Sequence, residues 1–385
     1  MKKRTKPNKS LKFQKFDVNF KVEHIDSIGQ GVSKLEDKIT FIQKCLPNEE
    51  GVAEVYKAKK NIQFAKLKHI DKASPIREES KCPYFNECGG CHFLHTSYDD
   101  ELEFKRQAFL DNFSRQYKID LSQLLKVHKA SERYQYRNRI QLHYNKKTNS
   151  LGFFNEDNTK IISIDKCLMA NENVNNALFS LKENWQKEAN RPKGHVEIFE
   201  RDGKVLKTYD SRYSAQGFLQ VNPPMNQRLL ELIEGHMRQF TDSNSTTVDL
   251  FGGNGNLTKS LNHRSIVIDA TPAKYIKLQN QKTQEYHEVD IYNSSAIEQL
   301  KKLNVEEVDL LVIDPPRSGL KNIDEYTKLF KPKYIIYVSC NNQTLARDTA
   351  KILAEYDVQE AHLFDFFPGT RHFESVNIFK HRKAL

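Results

Sequence analysis

Residues 248–256 read Val-Asp-Leu-Phe-Gly-Gly-Asn-Gly-Asn, an apolar run that stops in a glycine-rich loop. Glycine has no Cβ, so such a loop lets the backbone approach a ligand closely. The third glycine of a dinucleotide fingerprint is missing, because Leu257 and Thr258 follow. Outward from this loop the chain alternates strand and helix. Strand-like stretches read TTVDLF (246–251), SIVIDA (265–270), YHEVD (286–290), VDLLVID (308–314) and YIIYVSC (334–340). Helix-like stretches lie between them: PAKYIKLQNQ (272–281), SAIEQLKKL (295–303), IDEYTKLF (323–330) and NQTLARDTAKILAEY (342–356). The segment AHLFDFFPGTRHFESVNIFKH (361–381) reads as two strands around a Pro-Gly turn. Five βα units closed by a hairpin predict an α/β fold with a doubly wound, mainly parallel sheet, whose ligands sit at the carboxyl ends of the strands.

Those strand ends carry chemistry. Asp269 stands about 20 residues after the glycine loop, where a carboxylate can accept from both hydroxyls of a ribose. Asp290, placed at the end of the third strand, suits an adenine edge. The fourth strand ends Asp314-Pro315-Pro316-Arg317. Together these groups fit a nucleoside cofactor without a pyrophosphate, and S-adenosylmethionine better than a dinucleotide. Cys340 ends the fifth strand beside Ser339, Asn341 and Asn342. Polar neighbours do not suit a core, and a helix opening after it would favour a thiolate. A thiolate added to C6 of a pyrimidine makes C5 nucleophilic enough to take a methyl group, after which a base must remove the C5 proton. Glu374, in Arg371-His372-Phe373-Glu374-Ser375, is the candidate base. The target base must leave its stack, which costs about a few kcal/mol and least in a loop or single strand.

The chain has 385 residues, enough for two or three domains. With 38% hydrophobic and 29% charged residues, 23 Phe and 16 Tyr, it has ordinary soluble composition, too aromatic for disorder. No apolar stretch is long enough to cross a bilayer, and the basic start MKKRTKPNKS precedes no apolar core of a signal peptide, so a cytoplasmic, non-membrane protein is expected. The net charge is +10, of which seven Lys/Arg fall in residues 1–16 with no acid. Residues 1–15 therefore read as a basic tail able to bind phosphates without reading sequence. Residues 16–76 read as short strands with turns (FDVNFKVEHI, the turn SIGQGV, ITFIQKCL, GVAEVYKAKK, IQFAKLKHI), a small OB-like barrel whose Lys57, Lys59, Lys60, Lys66 and Lys68 suit an oligonucleotide. Residues 77–215 form a mixed middle with a charged helix near 98–118. There the segment RYQYRNRIQLHY interleaves Arg133, Arg137 and Arg139 with Tyr134, Tyr136 and Tyr144, a pattern that holds single-stranded RNA. Residues 216–385 hold the α/β unit.

Cys82, Cys88 and Cys91 lie at C-x5-C-x2-C spacing with Gly89 and Gly90 between the last two. In a cytoplasmic chain, three clustered thiols point to metal ligation. Cys167 is the best fourth ligand, with His92 and His95 as substitutes, and spacing alone leaves zinc and an iron–sulfur cluster both open. Cys45 reads as a buried strand residue.

As a set and in order, these motifs resemble the RNA uracil-C5 methyltransferase family, and in particular its large-subunit ribosomal RNA branch, over nearly the whole chain after the tail. The resemblance implies a class I S-adenosylmethionine methyltransferase domain, an N-terminal TRAM barrel through SIGQGV and CLPNEEGVAEV, and an α+β central iron–sulfur domain. It implies a 4Fe-4S cluster on Cys82, Cys88, Cys91 and Cys167. It implies cofactor contacts by Gln220 in FLQVN, Phe251 and Asn256 in DLFGGNGN, Asp269, and Asp314 in DPPRSG. Cys340 matches the family's nucleophile and Glu374 its base. The family usually has Cys at Gly252, Pro at Asn342 and Glu at Asp269, and none of these departures removes a group the chemistry needs. The resulting expectation is C5 methylation of a uridine in 23S ribosomal RNA by a monomer with no obligate protein partner. A transfer RNA uracil-C5 methyltransferase and a non-catalytic RNA-binding or assembly factor are the rivals.

Overall fold

The computed structural model describes residues 13–35, 37–211, 220–305 and 308–384. Most of the basic tail and the expected boundary at 215/216 lie outside the described residues. Five strands, β1 (Phe16–Ile25), β2 (Gln30–Leu35), β3 (Lys38–Gln43), β4 (Glu50–Lys59) and β5 (Ile62–Lys72), close a barrel in the order β1-β2-β3-β5-β4. Alternate residues such as Phe20, Val22, Ile42, Ala53, Val55 and Ala65 turn inward and fill it. Two details differ from the sequence expectation. The turn occupies only Asp26–Gly29, where the Asp26 carboxylate accepts from the N–H groups of Ile28 and Gln30, and a strand starts at Gln30. Polar Gln30 and Ser33 are buried in that strand, which hid its alternation. Cys45 is buried as expected but sits in the loop after β3.

The next segment supplies α1 (Tyr98–Tyr117), β6 (Leu125–His128), β7 (Arg139–Asn145), β8 (Ser150–Phe154), β9 (Ile161–Ser163), α2 (Glu172–Glu188), β10 (Lys193–Arg201) and β11 (Lys204–Tyr209). Ser97 caps α1 by accepting from Asp100, and Asp99, Asp100 and Glu101 favour its positive end. Strands β11-β10-β7-β8-β9 form one sheet. α2 lays Val174, Leu178, Leu181 and Trp185 on the face that carries Ile140, Leu142 and Val196.

The remainder supplies α3 (Pro223–Phe240), β12 (Thr246–Leu250), β13 (Arg264–Asp269), β14 (Gln284–Glu288), α4 (Ala296–Lys301), β15 (Leu310–Ile313), α5 (Ile323–Phe330), β16 (Tyr334–Ser339), α6 (Asn342–Thr349), β17 (Tyr356–Phe364) and β18 (Glu374–His381). The large sheet runs β14-β13-β12-β15-β16-β18-β17-β6. Strands β12 to β16 are parallel and β18 inserts antiparallel, as expected for a doubly wound sheet closed by a hairpin. The central strands are buried on both faces, so they read as continuous apolar runs. α1 and β6 come from the 77–215 span yet belong to this sheet: β6 pairs with β17, and Phe109, Phe113 and Leu121 share its core.

The stretch 272–281 is not the helix that its sequence suggests. Only a single 3-10 turn forms at Ala273–Tyr275. The N–H groups of Lys277 and Gln279 are taken by the side chain and carbonyl of Asn254, so the glycine loop outcompetes helical pairing. The third strand also ends earlier, at Glu288, leaving Asp290 two residues beyond it.

Candidate active site

Strand order reverses between β12 and β15, and open α/β sheets bind ligands at such a switch point. Register lines the strand ends up there. Leu250 is level with Ile268 on one side and Ile313 on the other, so the next residues, Phe251, Asp269 and Asp314, form a row along the crevice. Phe251, Gly253 and Gly255 have positive φ (64°, 52°, 72°), which folds the loop tightly over the end of β12. Asp269 accepts from the N–H groups of Gly253 and Thr271 (3.2 and 2.8 Å) and so pins the glycine loop to β13. Asn256 is exposed at the end of the loop, and Asp290 is exposed while accepting from Tyr292 N–H. Gln220 is half-buried, next to Val221, whose carbonyl accepts from Asn138.

Tyr292 went unnoticed in the sequence. Its ring lies 5.5 Å from that of Phe251, and its hydroxyl bonds Ser318 and the carbonyl of Gly319. It therefore links the glycine loop to the Asp314-Pro315-Pro316-Arg317 loop. Asp249 was missed as well. It is fully buried, one oxygen accepts from Thr258, the other has no partner, and burial pushes its carboxyl up to about 7. No sequence signal marked either residue: Tyr292 gains its setting from loops distant in the chain, and Asp249 from its burial under the glycine loop that Thr258 closes.

Cys340 and Glu374 are brought together by strand pairing. Ser339 of β16 is opposite Ser375 of antiparallel β18, so the register sets Cys340 opposite Glu374. Cys340 lines a cavity of about 220 Å³ with Arg317, Arg371, His372, Ser27 and Ile28. Burial, then the charge of Glu374, pushes its thiol up to about 11, against the pull of Arg317. The helix-start stabilisation expected for its thiolate is outweighed by this burial and charge. Burial, then Asp314, pushes Glu374 up to about 8, and Arg317 again opposes the shift. Burial also raises Asp314 to about 7, although its residue surface is open to the crevice, where water works against that shift. Among the described residues, Arg317 is thus the cation that acts on both Cys340 and Glu374.

All four expected cysteines line one cavity of about 380 Å³, which reaches Arg137, Arg317 and His372. Gly90 N–H points at the Cys88 sulfur (3.4 Å), and Cys167 is held by Asn175 of α2, which accepts from its N–H and donates to its carbonyl. Among the described residues, no three of these sulfurs lie within 4.8 Å of one another. Burial raises the thiols of Cys82, Cys88 and Cys91. His92 and His95 do not line this cavity.

The Arg/Tyr segment is corrected by the structure. Arg139 is buried against Glu197 (2.5 Å), and Arg133 bonds Glu101 and the carbonyls of Phe93 and Thr96. Tyr136 and Tyr144 are buried, bonding the carbonyl of Pro368 and the carboxylate of Asp210. These groups hold the domain together rather than forming a stacking platform. Their partners lie far along the chain, so the local pattern misled.

A doubly wound sheet with this order, a closing antiparallel hairpin and a crevice at the switch point define the class I methyltransferase fold. The family model described as tRNA (Uracil-5-)-methyltransferase matches residues 197–382. The 23S rRNA (uracil(1939)-C(5))-methyltransferase RlmD of Shewanella sediminis is 26% identical, covering 98% of each chain. The RlmD of Marinomonas sp. is 28% identical over the whole of both chains. The Pyrococcus abyssi tRNA (uracil-54, C5)-methyltransferase, solved with S-adenosyl-L-homocysteine, shares the fold with a TM-score of 0.67 and 19% identity, over 94% of this chain and all of that one. Residues 197–382 thus carry the family's methyltransferase domain, and over its full length the chain is similar to RNA uracil-C5 methyltransferases.

Proposed function

We propose that this enzyme methylates C5 of a uridine in 23S ribosomal RNA. The observation that carries the reading is the register pairing of Cys340 with Glu374 at the mouth of the switch-point crevice. The full-length likeness to relatives named for 23S rRNA supports the substrate. Phe251, Asn256, Asp269, Asp290, Asp314 and Gln220 would hold S-adenosylmethionine, which supplies the methyl group when bound. Cys340 thiolate adds to C6, forming an S–C6 bond and shifting the electron pair to C5, which takes the methyl. Glu374 carboxylate removes the C5 proton, the S–C6 bond breaks, and the C5=C6 double bond returns with free thiolate. Arg317 steadies the two anions on which both steps depend.

The four-thiol cradle suits a 4Fe-4S cluster. A single tetrahedral ion with metal–sulfur bonds of about 2.3 Å would draw its sulfurs to about 3.8 Å, closer than this cradle holds them. Arg137 and Lys44 stand near enough to act on the thiols and would offset the cluster's negative charge. Methyl transfer needs no redox step, so its part here is structural.

The test incubates purified protein with labelled S-adenosylmethionine and separate unmodified ribosomal and transfer RNA, then scores labelled 5-methyluridine. Label in the large ribosomal RNA is expected. Label in transfer RNA alone would overturn the substrate, and label in neither would favour a ribonucleoprotein substrate or a non-catalytic role.

A further inference from the structure

On the far edge of the large sheet, His362 and Glu360 of β17 meet His236 of α3, and nothing in the chemistry above uses them. Their ligand atoms all lie within 4.8 Å of one another. His362 Nε2 is 2.9 Å from Glu360 Oε2, and His236 Nε2 is 3.8 Å from the same oxygen. His362 is 1% exposed, yet its Nε2 makes no hydrogen bond, the Glu360 contact lacking the alignment of one. A buried nitrogen left without a partner normally costs stability, so its presence calls for a ligand.

We propose that His236, Glu360 and His362 form a zinc site that clamps α3 to the β6–β17 edge. Two imidazoles and a carboxylate are a zinc donor set that leaves a fourth position for water. Bonds of about 2.0–2.1 Å in tetrahedral geometry put the donors about 3.3 Å apart. The observed 2.9 and 3.8 Å straddle that spacing, so small side-chain turns close the site. The other ring nitrogen of His362 lies 3.0 Å from His128 Nε2, at the end of β6. That bond holds the ring and leaves the Nε2 lone pair for the metal when Nδ1 carries the proton. Burial keeps His362 neutral, its pKa lowered to about 4. Lys126 opposes the site. Its ammonium bonds Glu360 Oε2 at 2.7 Å, but the side chain is exposed and can swing into water as the metal enters.

The test counts zinc bound by the full-length protein and by His236→Gln in parallel, at micromolar zinc, so that zinc on the cysteines cancels in the difference. His236 is half-buried on a helix, and Glu360→Gln provides a second variant that keeps side-chain size. One zinc per chain is expected in wild type beyond either variant, and zinc should raise the wild-type unfolding midpoint more than theirs. Cobalt should give tetrahedral visible bands without a matching thiolate charge-transfer band. His128→Ala should weaken the site about 10–100-fold, as loss of an outer partner does. Lys126→Met should tighten it about two- to fivefold, the size of an exposed ion pair. Equal zinc content in wild type and both variants would overturn the proposal, as would a Lys126→Met affinity no tighter than wild type.

Discussion

At the residue scale, burial and then the charge of Glu374 raise the Cys340 thiol, burial and then Asp314 raise the Glu374 carboxyl, and Arg317 lowers both. With Glu374 near 8 and Cys340 near 11, too few molecules at pH 7 hold both as anions. Since kcat/KM reports groups of the free enzyme, it should climb from pH 7 to pH 9. Arg317→Ala should move that limb to higher pH, and an unmoved limb would break the link. Cys340→Ala should abolish turnover without changing the circular dichroism spectrum. Glu374→Gln should leave enzyme covalently attached to RNA, seen as a gel shift that survives denaturation. The same substitution has a stability consequence. Glu374 has a folded pKa of about 8 against 4.5 for the free side chain. Its contribution to stability is therefore complete below about 4.5 and is lost as pH rises through 8. Glu374→Gln, which does not titrate, should gain about 1–2 kcal/mol on wild type between pH 5 and pH 9, solvent in the open crevice trimming the full linkage. Urea melts at the two pH values measure it.

At the element scale, the loop between β17 and β18 carries Arg371 and His372 and leads into Glu374, the first residue of β18, and α1 anchors it through buried charge. Lys105 is 1% exposed and bonds Glu101 and Asp365, both fully buried, at 2.7 Å each. Burial alone would favour the neutral amine, but Asp365 and Glu101 outweigh it and keep Lys105 protonated. Glu101 also accepts from Gly369 N–H (2.6 Å) and from Arg133. Removing one partner of such a set leaves uncompensated buried charge. Lys105→Met should therefore destabilise the protein by about 3–5 kcal/mol in equilibrium unfolding. The cysteine segment grips the same loop, because the N–H groups of His92 and Phe93 both donate to the Gly369 carbonyl. If the cysteines hold the proposed cluster, stripping it should speed hydrogen exchange in 88–93 and 365–373 together, whereas an independent cysteine module would loosen alone. Asn342, where the family usually has Pro, donates to the Ala108 and Phe109 carbonyls and so ties α6 to α1.

At the scale of the whole molecule, the barrel reaches Cys340. Ser27 and Ile28 of its first turn line the Cys340 cavity, and Arg371 donates to the Ile28 carbonyl. The barrel lysines are partly spent on ion pairs: Lys68 with Asp17, and Lys66 with Asp157 of the turn between β8 and β9. Residues 1–12 add six Lys/Arg. If they lie along single-stranded RNA, deleting them should flatten the log affinity against log salt slope by up to about 4, at about 0.7 per phosphate contact. An unchanged slope would make the tail a bystander.

What could be read directly from the sequence was whatever neighbours in the chain decide. The parallel strands showed as apolar runs because both of their faces are buried, and the hairpin showed through its Pro-Gly turn. The cysteine spacing and the strand-end acids also stood out, since a loop that must meet a ligand writes its chemistry locally. Three things were decided only in the folded chain. The pairing of Cys340 with Glu374 comes from a strand register that joins residues 34 apart. Arg133, Arg139, Tyr136 and Tyr144 found acids and carbonyls far along the chain, and the last three of these went inside. The helix expected at 272–281 lost its N–H groups to Asn254 of the glycine loop. Each depends on which distant group desolvates, pairs with or bonds a residue. Periodicity fixes the elements, and only their packing fixes the electrostatics.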